Sequence, residues 1–165
     1  MNKHNLLTVM LAILPFTSAL AFDFEVNGIY YNILSDNKVE VTSGTKKYVG
    51  DVIIPKSVKY GNIYKVIQIG NRAFYGCEEL TSIEIPNSVL TIGGSAFQNC
   101  GLKGIQIPNS VDSVASSAFA KCNELKNVII GSGVRFISGS FKGSDNITSI
   151  IILSAIPPYI GSNYI

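Results

Sequence analysis

Histidine is almost absent from this sequence of 165 residues, and tryptophan is wholly absent. The single histidine, His4, lies near the N-terminus in a stretch that reads as a removable leader. A chain that loses it can form neither a Ser-His-Asp triad, nor a Cys-His pair, nor a histidine zinc site. The acids are scattered, and their one adjacent pair, Glu78-Glu79, lies in a repeated turn. The sequence therefore predicts no enzyme, no catalytic residues, no metal site and no cofactor.

Charged residues are also few, at 15% of the sequence, and 13 Lys and Arg against 11 Asp and Glu leave a net charge of +2. Binding to nucleic acid depends on a basic stripe that neutralises phosphates, so we predict no nucleic-acid partner. Disorder is excluded as well, because 47% of the residues are hydrophobic and the net charge is low. The length fits one modest domain or a few stacked units.

One long apolar run exists, and it lies at the N-terminus. A short positive start precedes an apolar run at 6–16, and the small residues of 19–21 suit a signal peptidase. The run is shorter than the ~20 residues that span a bilayer. We therefore predict a secretory signal peptide at 1–21, cleaved after Ala21. The mature chain, 22–165, is predicted to have no transmembrane segment and to be secreted or held at the cell surface.

The strongest signal in the sequence is an internal repeat of 22 or 23 residues. Similar segments recur four times and then lose their pattern in a fifth: VIIPKSV at 52–58, IEIPNSV at 83–89, IQIPNSV at 105–111, VIIGSGV at 128–134 and IIILSAI at 150–156. Two apolar columns keep in step with them: Phe74, Phe97, Phe119 and Phe141, and Leu80, Leu102, Leu125 and Ile147. A repeat of this length indicates a stacked architecture.

Each repeat has the pattern of one short strand. In LTSIEIP (80–86), apolar and polar residues alternate, which is typical of a strand with one buried face. Pro86 and Pro108 end the strand, because proline cannot donate a hydrogen bond to a ladder. A single repeat cannot bury its apolar columns, so neighbouring coils must stack. The predicted fold is a repeat solenoid, mainly β, with short turn or 3-10 segments.

The pattern LxxIxIPxSVxxIGxxAFxxC resembles the BspA-like leucine-rich repeats, a family of mostly secreted or cell-surface proteins of bacteria and some parasitic protists. The resemblance covers about 51–165, or about four and a half coils, with no C-terminal cap. It implies a leucine-rich repeat solenoid that binds through an extended surface. It also suggests adhesion to host extracellular matrix proteins or to other bacteria.

Residues 22–50 are predicted to form an antiparallel β cap before the repeats. We interpret this segment as two alternating strands, at 24–34 and 38–42, joined by a hairpin turn at 35–37. The first repeat is longer than the second, and its extra residues, around 58–64, predict a protruding hairpin.

Three cysteines occupy one column of the repeat: Cys77, Cys100 and Cys122, with Ser144 in the fourth position. Adjacent coils lie ~4.8 Å apart, so neighbouring thiols are close enough for a disulfide. Free cysteine is also readily buried in a core. A line of single cysteines does not form the tetrahedron that zinc requires. We predict a buried ladder of free thiols, and a disulfide stays open as the alternative.

The outward positions of the repeated strand form two columns: Asp51, Ser82, Gly104, Asn127 and Ser149, and Ile53, Glu84, Gln106, Ile129 and Ile151. We predict an interaction module that binds a protein or glycan ligand there. The predicted contact residues are Ser82, Glu84, Gln106, Asn127 and Ile129, with Tyr60 and Tyr64 on the insert.

The alternative function is a structural or capping fragment of a larger surface protein with no ligand of its own. The last coil, which ends at Ile165, is only half built. Its final strand is therefore expected to be exposed. Truncation, a poorly ordered end, or end-to-end self-association at this uncapped C-terminus would each account for it.

Overall fold

The structure is a computed structural model that describes residues 22–160, so the predicted signal peptide and the last five residues lie outside the described part. Fourteen strands occur within it: β1 (Phe24–Val26), β2 (Ile29–Ser35), β3 (Lys38–Thr42), β4 (Gly50–Ile53), β5 (Ser57–Tyr60), β6 (Asn62–Ile69), β7 (Leu80–Glu84), β8 (Thr91–Ile92), β9 (Gly104–Ile107), β10 (Ser113–Val114), β11 (Asn127–Ile130), β12 (Phe136–Ile137), β13 (Ser149–Ile152) and β14 (Tyr159–Ile160). No helix that could cross a membrane occurs between residues 22 and 160.

Each coil contributes one strand to each of two rows. The first row contains β4, β7, β9, β11 and β13, paired in parallel within β4-β7 and β9-β11-β13. Between β7 and β9 the coils are joined by a hydrogen bond from the Gly101 N–H to the Cys77 carbonyl oxygen, at 3.2 Å. The second row contains β6, β8, β10, β12 and β14, also in parallel. The predicted β solenoid is confirmed.

Stacked phenylalanines fill the centre of the solenoid. The rings of Phe74 and Phe97 lie 4.9 Å apart at 8°, those of Phe97 and Phe119 5.0 Å apart at 3°, and those of Phe119 and Phe141 5.3 Å apart at 13°. All four side chains are buried. Tyr48 extends the ladder into the cap, with its ring 4.5 Å from that of Phe74. The phenylalanine column predicted from the repeat is therefore a continuous inner ladder.

The side chains of the cysteine column donate hydrogen bonds to backbone carbonyl oxygens of the preceding coil. The Cys100 thiol donates to the Phe74 carbonyl oxygen (2.9 Å), and the Cys122 thiol donates to that of Phe97 (3.0 Å). Ser144 continues the series, with its hydroxyl 2.7 Å from the next phenylalanine carbonyl. All three thiols are free and buried, and burial raises the pKa of Cys122 to about 11. The prediction of a free-thiol ladder is confirmed.

The cap contains three strands, so the prediction of two was wrong. Asn27 and Gly28 have φ of 52° and 78°, and they turn the chain between β1 and β2. Two consecutive positive φ angles are typical of a tight type I′ hairpin turn. The second hairpin, β2-β3, is antiparallel as expected, and β3 then pairs in parallel with β6. The cap thereby continues the second row.

The insert forms a hairpin, but it does not protrude freely. β5 and β6 pair antiparallel around Gly61, whose φ is 66°. The Tyr60 ring stacks on Phe24 at 4.4 Å and 2°. Because Phe24 belongs to β1, this contact holds the hairpin against the cap.

The last described coil leaves apolar side chains exposed. Ile150 and Ile152 in β13 are each 37% exposed, whereas Val128 and Ile130, their partners in β11, are buried. An apolar concavity lies beside them, next to Phe141. The expected exposure of the final strand is confirmed for the part of the chain that the structure describes.

Candidate functional site

The outward side chains of β4, β7, β9, β11 and β13 form one surface, which we call the strand face. Strand register places Asp51 beside Ser82, and Gly104 beside Asn127 and then Ser149. The second column aligns Ile53 with Glu84, and Gln106 with Ile129 and Ile151. The neighbours within β4-β7 and within β9-β11-β13 are those that the two predicted columns require, and no strand pairing joins β7 to β9 among the described residues. Since alternate residues of these strands point into the core, outward residues are free to contact a ligand.

Polar side chains near β4 bind one another across the first two coils. The Asp51 carboxylate accepts hydrogen bonds from the Ser82 hydroxyl (2.6 Å) and the Thr81 hydroxyl (2.8 Å). These bonds lower the pKa of Asp51, and the charge of Lys103 lowers it further. Asp51 thus orients the predicted contact residue Ser82, although Asp51 itself was not predicted as a contact residue. The signal was present, because the two residues are neighbours in one predicted column.

The middle of the strand face carries polar side chains without partners. Glu84 and Gln106 are exposed, and no hydrogen bond to a residue within 22–160 engages either side chain. They line an open concavity of about 420 Å³, together with Pro108 and Asn109. Carboxylate and amide groups at the edge of a concave surface can bind donors on a protein or a sugar. This concavity is the strongest candidate contact point on the strand face.

The strand face becomes apolar towards its C-terminal end. Asn127 is exposed, whereas Ile129 is half-buried beside it in β11. Ile151 follows in β13 and is 51% exposed. Apart from the exposed Ile53 at its start, the strand face is polar at one end and apolar at the other, so it offers both kinds of contact that protein interfaces use.

Tyr60 and Tyr64, also predicted as contacts, lie elsewhere. Both belong to the β5-β6 hairpin, and both rings contact Phe24, at 4.4 Å and 5.7 Å between centroids. Tyr60 is 53% exposed, whereas Tyr64 is packed against the core. The structure therefore does not bring them together with Ser82, Glu84, Gln106, Asn127 and Ile129. Their role in binding stays a prediction.

Metal-ligating residues and ion pairs, the other possible reactive groups, give little support for a reactive site among the described residues. No cluster of three or more metal-ligating side chains occurs within residues 22–160. The Arg135–Asp112 ion pair, between exposed side chains next to the second row, links two neighbouring coils. Such an ion pair is an inter-coil contact on the surface and not a reactive site.

A family model of the BspA type leucine-rich repeat region matches residues 50–164 in six copies. Among solved structures, the chain is similar to a leucine rich cell surface protein from Faecalibacterium prausnitzii, with 26% identity and a TM-score of 0.61. That match covers 78% of this chain and 42% of the other. A leucine-rich repeat protein from Bacteroides capillosus has 25% identity and a TM-score of 0.68, over 78% and 96% of the two chains.

A third structure, of a leucine-rich repeat protein from T. pallidum, has 23% identity and a TM-score of 0.60, over 78% of this chain and 70% of the other, and it supports the fold alone. No curated protein matches the sequence. The chain spans less than half of the Faecalibacterium protein.

Proposed function

Since the chain belongs to the BspA type leucine-rich repeat family, we propose that it is a secreted or cell-surface interaction module that binds a protein or glycan ligand through the strand face. The observation that carries this proposal is the exposed pair Glu84 and Gln106, whose side chains have no partner within residues 22–160 and line one concavity in the middle of the strand face. Neither side chain is needed to hold coils together. Their position on a rigid sheet suits recognition, because little order has to be gained on binding.

In this proposal the two ends of the strand face contribute different kinds of contact to ligand binding. The polar end, around Asp51 and Ser82, presents one negative charge in a fixed position. The apolar end, around Ile129 and Ile151, supplies area that is removed from water on contact. A ligand that spans several coils would meet both, and proteins of the extracellular matrix or their glycans have suitable length. Catalysis has no part in the proposal.

The test is a binding screen of the purified protein against arrayed extracellular-matrix proteins and glycans. The strand-face variant replaces Glu84, Gln106 and Asn127 with alanine. A control variant of the same residue types replaces Gln98, Asn123 and Glu124, which lie in the turns next to the cysteine column. We expect the first variant to weaken binding at least ~10-fold, equal to ~1.4 kcal/mol, and the control to change it little. Equal losses, or no ligand at all, would exclude the strand face.

The apolar end of the last described coil favours a second candidate, a structural segment of a larger surface protein. Ile150 and Ile152 are exposed in β13, and a further coil or a second copy would cover them. Sequencing the gene beyond residue 165 separates the candidates: continued repeats or an anchoring domain favour the structural segment. Sedimentation of the purified protein tests end-to-end self-association, which Ile152→Lys should abolish.

A further inference from the structure

The first strand of the first row, β4, is paired on one side only within residues 22–160. Hydrogen bonds from the Gly50 N–H to the Glu79 carbonyl oxygen (2.8 Å) and from the Ile54 N–H to the Glu84 carbonyl oxygen (3.0 Å) fix which backbone groups face β7. Successive residues of a strand direct their backbone groups to opposite sides. The N–H and C=O groups of Asp51 and Ile53 therefore point to the free edge. An edge of this kind is a template for another strand.

A groove follows this free edge, between β4 and the turn that joins β1 to β2. Two concavities form it, of about 450 and 370 Å³, and both are lined by Asn27, Ile29 and Ile53. No residue of β7 lines either concavity, so the groove lies on the unpaired side of β4. We call it the edge groove. Lys46 lines one of the two concavities, and Lys59 lines the other.

The edge groove has an apolar part and a polar part. Val26, Ile29 and Val58 line the concavity at the end of β4, whereas Lys46 and Asp51 line the concavity at its start. Ile53, where the two parts meet, is 66% exposed. An exposed isoleucine beside unpaired backbone groups indicates a surface suited to contact.

A buried tyrosine lies at the base of the same groove. Tyr31 lines the apolar concavity, its side chain is fully buried, and its hydroxyl has no hydrogen-bond partner among residues 22–160. Buried polar groups in proteins almost always have a partner. Burial raises the pKa of Tyr31 to about 12, so the hydroxyl remains protonated at neutral pH. A hydrogen-bond donor without a partner among residues 22–160 therefore lies beneath the groove.

We propose that the edge groove binds an extended peptide segment of a partner protein, which adds a strand to β4. The unpaired groups of Asp51 and Ile53 alternate donor and acceptor at the spacing of a strand, and an extended main chain matches that spacing. Alternate side chains of the added strand would face Val26, Ile29 and Val58, so the peptide carries an apolar residue at every second position. This site shares Asp51 and Ile53 with the strand face, but it uses their backbone groups and neither Glu84, Gln106 nor Asn127, so its test does not depend on the proposed function.

The test selects peptides from a displayed library of random twelve-residue sequences on the immobilised protein, and then measures the affinity of a synthetic selected peptide. Ile53→Pro removes the N–H that faces the free edge and leaves the bonds to β7 intact, and proline is tolerated on edge strands. Ile53→Thr keeps that N–H and is the matched control. We expect Ile53→Pro to weaken binding at least ~10-fold and Ile53→Thr to weaken it less than ~3-fold. The alanine variant of Glu84, Gln106 and Asn127 should bind the peptide normally.

A second measurement uses the unaltered protein, so a folding defect in the proline variant cannot obscure the result. The selected peptide is N-methylated at one position at a time, because only every second N–H of an added strand faces β4. Methylation should abolish binding at alternate positions only, and hydrogen exchange at Asp51 and Ile53 should slow when the peptide binds. The proposal is overturned if no peptide is selected, if Ile53→Pro and Ile53→Thr bind alike, or if methylation has no alternation. The proposal is also overturned if the protein forms concentration-dependent dimers and Ile53→Pro prevents them, since a second copy of the chain would then occupy the free edge of β4.

Discussion

Replacing Phe97 with alanine tests whether the phenylalanine ladder holds the coils together. Phe97 has no exposed surface, and its ring stacks on Phe74 at 4.9 Å and on Phe119 at 5.0 Å. Its main chain also binds the following coil, because its N–H donates to the Ala118 carbonyl oxygen and its carbonyl oxygen accepts from the Cys122 thiol. The substitution therefore removes side-chain contacts to two coils and leaves the backbone bonds in place.

The expected cost follows from burial and from the number of stacked neighbours. Truncation of a buried phenylalanine costs ~3–5 kcal/mol, and each aromatic pair adds ~0.5–1.5 kcal/mol beyond its buried area. Phe97→Ala loses two such pairs and belongs at the top of this range. Phe141 is 4% exposed and stacks on Phe119 at 5.3 Å, its one aromatic neighbour within residues 22–160. We expect Phe141→Ala to cost ~1–2 kcal/mol less than Phe97→Ala.

Urea unfolding measures these differences as changes in the free energy of unfolding. The sequence has eight tyrosines and no tryptophan, so far-ultraviolet circular dichroism and tyrosine fluorescence are the signals. Gln106→Ala is the surface control and should change stability by less than ~0.5 kcal/mol. The reasoning is refuted if Phe141→Ala costs as much as Phe97→Ala, because stacking on two sides would then add nothing. A cost at Gln106 equal to that at Phe97 would refute the assignment of inner and outer faces.

Three further changes test the contacts between coils. Cys122→Ser should be ~1 kcal/mol less destabilising in urea than Cys122→Ala, because serine keeps the hydrogen bond to the phenylalanine carbonyl of the preceding coil. The Asp51 carboxyl should titrate below the usual aspartate range by NMR, and Ser82→Ala should raise its pKa. Because folding lowers that pKa, the hydrogen bond stabilises the protein at neutral pH and is lost as the pH falls through it. Gly101→Ala, whose new Cβ would lie 2.0 Å from a backbone oxygen, should cost ~1–3 kcal/mol by thermal unfolding, and Gly104→Ala, with 3.5 Å of space, much less.

The inner columns could be predicted from sequence because stacking gives every coil the same environment at the same position. Phe74, Phe97 and Phe119 recur at nearly constant spacing, and the structure places their rings in one stack. The outward columns follow from the same register. The Asn27-Gly28 turn could also have been predicted, since this dipeptide is a strong hairpin signal. The alternating apolar pattern on both sides of this turn, at 24–34, led to the prediction of a single strand there.

Contacts that depend on a local shift of register could not be predicted in this way. The register of β4 against β7 shifts between Gly50 and Asp51. The column predicts that Asp51 lies beside Ser82, but it does not predict the second hydrogen bond to Asp51, which the Thr81 hydroxyl donates. Tyr60 presents the same difficulty, because its stacking partner, Phe24, lies in the cap and outside the repeat. A repeat predicts what all coils share. It carries no information about the junction between the first coil and a cap of different construction.

The constraints on each coil explain why we propose outward strand positions for ligand recognition. Inward residues must match the coils on both sides, and a change at Phe97 disturbs two neighbours. The turn residues are constrained as well. Cys122 donates a hydrogen bond to a carbonyl oxygen of the preceding coil, and Gly101 has no space for a side chain. Gln106 has neither constraint, since its side chain is exposed and forms no hydrogen bond within the described residues. Substitutions in its column can therefore alter what the protein binds at little cost in stability, which is why we expect the affinity of Gln106→Ala for a ligand to fall while its unfolding midpoint stays constant.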